Sequence, residues 1–135
     1  MKFKTLTGGY KRLPKPRNYL IDWRASSRSK IQKGVKDFLC DYWLNHVVFE
    51  EFPVTGTKMT FDFYNATKKI AVEVQGAQHT KFVPFFHRSR GNFASQLRRD
   101  EKKFQFCKLN DITLVEIYPE DSINKGLFKK QGVYL

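Results

Sequence analysis

The sequence predicts a single α/β domain of the α+β kind with the element order αβββαβ, and three observations carry that reading. Apolar residues recur at helical spacing after Ser29, where Ile31, Val35, Phe38, Leu39 and Tyr42 form one stripe. Three short apolar runs follow, at 47–52, 59–64 and 69–75, with turn residues between them. A second helical pattern, with Phe93, Leu97, Phe104 and Cys107 on its buried side, then leads into an apolar run at 112–117.

Each element has its own local reasons. Residues 1–28 hold eight Lys and Arg against the single acid Asp22, and Pro14 and Pro16 interrupt any helix there. They read as an extended basic arm, with Tyr19, Leu20, Ile21 and Trp23 as its anchor and residues 29–135 as the domain proper. Ser29 followed by Gln32 fits a capping box, and the helix it opens ends near Leu44 and Asn45. Val47 to Phe52 reads as a strand closed by Pro53 and the turn Thr55-Gly56-Thr57. Met59 to Tyr64, the turn Asn65-Ala66-Thr67, and Lys69 to Gln75 complete a three-stranded meander. Gly76 to Asn92 reads as a loop rich in aromatic and basic residues. Asn110 and Asp111 end the second helix, and Ser122 to Gln131 forms a short terminal helix.

Composition narrows the function. The chain of 135 residues is long enough for one core and too short for two. With 25 Lys and Arg against 13 Asp and Glu, the net charge is +12, which points to a polyanionic partner, nucleic acid before anionic membrane. No apolar run approaches the roughly 20 residues that span a bilayer. The N-terminus has no apolar stretch for a signal peptide, and two distant cysteines, Cys40 and Cys107, fit a reduced, cytoplasmic protein.

The chemistry lies between Asp62 and Asp100. Asp62 and Glu73 stand in apolar strands, where acids rarely sit without a partner or a metal. Strand alternation puts Glu73 and Gln75 on one face and Val72 and Val74 on the other. Folding at Asn65-Ala66-Thr67 brings Asp62 beside Glu73, and paired carboxylates repel unless a cation sits between them.

Asp62, the segment Glu73-Val74-Gln75-Gly76-Ala77-Gln78-His79, and Asp100, in this element order, resemble the PD-(D/E)XK nuclease superfamily. The likeness is greatest to its branch of very-short-patch-repair-type endonucleases and Glu-Asp-His-Asp homing nucleases, and it covers roughly Ser29 to Glu120. It implies a restriction-endonuclease-like core, a mixed sheet flanked by helices. It also implies Mg²⁺, replaceable by Mn²⁺, held by Asp62, Glu73 and the Val74 carbonyl. His79 would move a proton, and Asp100 would orient His79 or hold a second metal, unless it simply belongs to a solvated helix face. Such small nucleases are often phage-encoded.

Two departures matter. Gln75 stands where the family usually has lysine; it can orient water or a phosphate oxygen but brings no charge. Gln32 stands where the branch often has a catalytic glutamate, with Glu50 or Glu51 as candidate substitutes. Lys81, Arg88, Arg90, Arg98 and Arg99 flank the site and are expected on phosphates, with Arg12, Lys15 and Arg17 of the arm. Phe85 and Phe86 are either core or a wedge between bases. The expectation is a metal-dependent DNA endonuclease that nicks, or dimerises to cut both strands. Its alternatives are a structure-selective junction or flap nuclease and an inactive DNA-binding module on the same fold.

Overall fold

In the computed structural model, which describes residues 1–76 and 90–135 with side chains of the second helix from Arg98 onward, a mixed sheet is covered by helices on both faces. The strands β1 (Lys2–Lys4) and β2 (Tyr10–Arg12) form a separate hairpin, followed by a 3₁₀ turn at Pro16–Tyr19. Then come α1 (Lys30–Trp43), β3 (Val48–Pro53), β4 (Thr60–Asn65), β5 (Ile70–Val74), α2 (Arg90–Leu109), β6 (Thr113–Ile117) and α3 (Lys125–Lys130). The main sheet runs β3-β4-β5-β6. The first three strands are an antiparallel meander, and β6 lies parallel to β5 after the crossover through α2. The predicted αβββαβ order is therefore the observed one, on an α+β architecture.

Local chemistry explains the boundaries. Ser29 caps α1 by accepting the Gln32 backbone N–H at 3.1 Å. The reciprocal half of the capping box is missing, because the Gln32 side chain is directed to the acids of β3. Helix α2 ends as its sequence suggests: Asp111 takes a left-handed φ of 55°, and the Ile112 N–H returns to the Cys107 carbonyl at 2.8 Å. In the β4–β5 turn, Asn65 accepts the Lys68 N–H at 2.9 Å. Pro53 ends β3 from within, as its last residue.

Two cores lie on the two faces of the sheet. Val35, Leu39 and Trp43 of α1 and Phe128 of α3 pack against Val48, Phe63, Val72, Val115 and Ile117. On the other face Phe106 and Cys107 of α2 meet Phe49, Phe52, Phe61, Tyr64 and Ala71.

Several expectations need correcting. The buried stripe of α1 is Gln32, Val35, Lys36, Leu39 and Trp43, so two polar residues hold positions facing the sheet while Ile31 is exposed. On α2, Phe104 is 53% exposed and Phe106, one residue from Cys107, is fully buried. The inward face of that helix runs through Lys103, whose charge disguises it. Helix α2 also begins at Arg90, inside the stretch read as a loop.

Residues 1–28 are not simply extended. Phe3 and Leu13 are buried with the α2-side core, and Phe3 meets Phe52, Tyr64 and Phe106 at ring-centroid distances of 5.9, 6.2 and 5.6 Å. Asn110 clamps the hairpin by accepting the Lys4 N–H at 2.8 Å and donating to its carbonyl at 3.0 Å. Pro16 starts the 3₁₀ turn, where its missing N–H costs nothing. Of the expected anchors, Tyr19 packs on Phe52 and Ile21 and Trp23 pack against the α1-side core, whereas Leu20 is exposed.

Because Phe3 fills core volume, Phe3→Ala should cost about 3 kcal/mol of unfolding free energy, in the range for truncating a buried aromatic. Urea denaturation measures this. A loss within about 0.5 kcal/mol, the range for surface substitutions, would mean that the hairpin does not belong to the core.

Candidate active site

The β4–β5 ladder pairs Asn65 with Ile70, Tyr64 with Ala71 and Phe63 with Val72, so Asp62 and Glu73 are the next residues to face each other. There the carboxylates replace the ladder. Asp62 Oδ2 accepts the Val74 N–H at 2.7 Å, and Glu73 Oε2 accepts the Asp62 N–H at 3.3 Å. Both acids are nearly inaccessible, at 3% and 5% exposure, and charges that deep need partners.

The partners come from both sides of the sheet. The Arg28 guanidinium, just before α1, donates to Asp62 Oδ1 at 3.0 Å. The Lys103 ammonium, from the inward face of α2, is hydrogen-bonded to Glu73 Oε1. All four carboxylate oxygens are therefore engaged.

A second acidic cluster braces Arg28. Glu51 sits directly across from Asp62 and has a left-handed φ of 52°, a conformation that costs a non-glycine residue about 1–3 kcal/mol. That kink breaks strand alternation, so Glu50 and Glu51 both accept from the Gln32 amide, at 2.9 and 3.1 Å. Phe49 and Phe52, three residues apart, then pack against each other at 4.8 Å. Glu51 lies 3.7 Å from the Arg28 guanidinium and accepts from the Thr60 hydroxyl at 3.2 Å. Lys36 is fully buried and donates to Glu50 at 2.8 Å and to the Ala25 carbonyl at 3.0 Å. Ser27 donates to Glu50 at 2.7 Å, which ties down the segment that carries Arg28.

The carboxylate pair and its two cations line a pocket of about 530 Å³ whose wall includes Arg28, Lys58, Thr60, Asp62, Glu73, Val74, Gln75, Arg99, Asp100 and Lys103. Of the residues singled out in the sequence, Asp62, Glu73, Val74, Gln75, Arg99 and Asp100 thus meet in one place. Gln32 does not line it and instead holds Glu50 and Glu51. Arg98 is exposed on α2 outside the pocket wall, and Arg12, Lys15 and Arg17 are exposed on the N-terminal segment away from it. His79, Lys81, Phe85, Phe86 and Arg88 lie outside the described residues, as does the side chain of Arg90. Arg28 and Lys103 were missed. Lys103 sits in a charged run that reads as solvated, and only its spacing of three and four from Phe106 and Cys107 betrays an inward position.

Burial pushes the Glu73 carboxyl up to about 8, and the neighbouring Asp62 adds to this while Lys103 opposes it. Asp62 is also raised, again chiefly by burial, against the lowering effect of the Val74 N–H and Arg28. Burial lifts the Cys107 thiol to about 12, so this cysteine is no nucleophile at neutral pH.

Two carboxylates from adjacent strands form the oxygen donor set that a hard divalent cation takes. A cation taken up here would have to displace the Lys103 and Arg28 bonds, which occupy one oxygen of each carboxylate. Among the described residues no group of three or more His, Cys, Asp or Glu side chains is arranged to hold a metal.

Comparison with known proteins gives relatives without an assigned activity. The chain is 39% identical over 88 residues to uncharacterized protein 307L of Invertebrate iridescent virus 6, covering 61% of this chain and 45% of that protein. It is 38% identical over 65 residues to uncharacterized protein 033L of Invertebrate iridescent virus 3, covering 48% and 34%. It is 36% identical over 66 residues to uncharacterized protein 094L of Frog virus 3, covering 48% and 43%. The matches thus span less than half the length of each of these curated relatives. No family model matches the chain, and no solved structure matches it significantly. Among the described residues no helix is long and apolar enough to cross a membrane.

The raised Glu73 carboxyl makes stability depend on pH. Its folded value of about 8 exceeds the ordinary 4.5, so its contribution is complete below about pH 4.5 and is lost as pH rises through about 8. Without added metal, the melting temperature of the wild type should fall from pH 5 to pH 8 more steeply than that of Glu73→Gln. Parallel melting curves for the two proteins would contradict this assignment.

Proposed function

We propose that this chain is a divalent-metal-dependent DNA endonuclease that hydrolyses phosphodiester bonds at the Asp62–Glu73 pocket, in keeping with its PD-(D/E)XK resemblance. The observation that carries the reading is the carboxylate pair opposed across β4 and β5 with a lysine ammonium against it. Asp62 and Glu73 would hold Mg²⁺ or Mn²⁺ together with the Val74 carbonyl. The bound cation supplies charge neutralisation at the phosphate and an acidified water.

This chain's own residues have separable roles. Lys103 supplies the positive charge that Gln75 lacks, delivered from a helix instead of the strand. With Glu73 engaged in holding a cation, the Lys103 ammonium would be available to a phosphate oxygen. Gln75, 6% exposed on the pocket wall, orients water or phosphate by hydrogen bonding. His79 remains the proton-transfer group implied by the resemblance, with Asp100 on the pocket wall as its support. Arg28, Lys58 and Arg99 make the rim cationic, and the net charge of +12 suits a polyanion. One such site cuts one strand, so double-strand cleavage requires a dimer. The viral relatives support a viral gene, and the proposal places its product in the host cytoplasm.

A second reading, an inactive DNA-binding module, is favoured by one fact: each carboxylate already has an ion-pair partner from the protein. Cleavage of supercoiled plasmid with Mg²⁺, Mn²⁺ or EDTA separates the two. Metal-dependent nicking is expected of the wild type, abolished in Asp62→Ala and Glu73→Ala and lowered about 100-fold in Lys103→Ala, the scale of losing one stabiliser of transition-state charge. DNA binding with no cutting under either metal would sink the enzyme and leave the module.

A further inference from the structure

A second cavity, of about 550 Å³, adjoins the carboxylate pocket and shares Lys58, Met59 and Arg99 with it. Its outer wall is the tip of the β1–β2 hairpin, through Leu6 and Thr7, and Lys102 of α2 completes the rim. We infer that this cavity receives the base of an unpaired nucleotide adjoining the phosphate held at the carboxylate pocket, so that the substrate is a strand with an unpaired base at that point. The inference rests on the proposed nuclease or nucleic-acid-binding reading of the neighbouring pocket and adds a substrate class to it.

Three observations support it. The cavity has an apolar lining in Leu6 and Met59 beside the cations Lys58, Arg99 and Lys102, with no acid among the described residues of its wall. An apolar slot edged by cations is complementary to a nucleotide, whose base is flat and poorly hydrated while its phosphates are anionic. The cavity is also built rather than incidental. Gly56 has a φ of 91°, and a Cβ there would lie 3.2 Å from Thr5 Cγ2, so the β3–β4 turn is seated directly on the hairpin. Thr5 in turn fixes the hairpin turn by donating to the Gly8 carbonyl at 2.8 Å. Finally, the shared wall puts Lys58 and Arg99 between the two cavities, where one phosphodiester linkage would run.

A fully paired duplex presents stacked bases, and these cannot enter a side cavity without unpairing. Base entry therefore favours single-stranded, bulged or branched substrates. The hairpin then acts as a wall of the binding groove, a role distinct from a basic arm that merely follows the backbone.

The test compares short oligothymidylate with a strand of equal length in which every base is replaced by an abasic tetrahydrofuran residue. Binding is followed by fluorescence anisotropy in EDTA. Wild type should bind the base-bearing strand about tenfold more tightly, the scale of one well-stacked base. Thr7→Leu, which fills the cavity from an exposed turn position without adding a ring for a base to stack on, and Leu6→Ala, which cuts back its apolar lining outside the carboxylate pocket, should bring that ratio toward one. Both should leave abasic binding unchanged. Circular dichroism melts establish that Leu6→Ala is folded, and Thr7→Leu keeps the test open if it is not. A ratio near one in the wild type, or a ratio that both folded variants preserve, overturns the base cavity while plasmid nicking and abasic binding uphold the neighbouring pocket. Binding of neither strand, with no nicking, overturns both.

Discussion

Two carboxylates lie side by side within the sheet, at Asp62 and Glu73, and the groups that make this tolerable come from both layers covering it. Desolvating an ionised carboxylate costs several kcal/mol even after relaxation, far more than a surface ion pair returns. One requirement therefore reaches across the molecule. Helix α2 must place a lysine where an apolar residue would otherwise pack, and the segment before α1 must aim Arg28 back at the sheet. The raised Glu73 carboxyl indicates that the compensation is incomplete. A buried ion pair can usually be replaced by apolar residues with no loss of stability. Such an arrangement is thus hard to explain by stability and easy to explain by chemistry.

The acidic cluster of β3 serves that arrangement indirectly. Arg28 is well exposed and would sample many conformations if only Asp62 held it. Its segment is instead fixed by Ser27 on Glu50 and by Lys36 on the Ala25 carbonyl, while Glu51 flanks the guanidinium itself. The left-handed Glu51 makes this geometry available, because regular alternation would send Glu50 and Glu51 to opposite faces. Local backbone strain is thus spent on aligning one arginine with one buried aspartate.

The same feature explains which parts of the structure could be read in the sequence. Strand alternation and turn chemistry located β3, β4, β5 and β6 to within a residue or two, and they placed Asp62 beside Glu73, because those signals are local. The inward faces of α1 and α2 were misjudged where Gln32, Lys36 and Lys103 take core-facing positions. Polar residues there break the apolar stripe, and patterning by hydrophobicity skips to Ile31 or Phe104. The conflict between local pattern and final fold is concentrated around the carboxylate pair, as expected where function overrides packing. The hairpin was missed for another reason. Its strands have three residues each, and Phe3 and Leu13 join the core through contacts distant in sequence, which periodicity cannot register.

Gln75 looks, in sequence, like the loss of a charge that phosphodiester hydrolysis needs. In space the charge reappears on Lys103, whose ammonium reaches Glu73 from a different element. What must be kept is a cation near the carboxylate pair, and a helix crossing the sheet can supply it as well as a strand can. Below about pH 8 the folded chain neutralises Glu73 with a proton as well as with the Lys103 ammonium, and on the proposed reading a divalent ion would take over that role. On the proposed reading, a Lys103 ammonium no longer held by Glu73 would be available to a phosphate oxygen. The ion pair that argues for a silent fold is thus equally suited to the proposed enzyme.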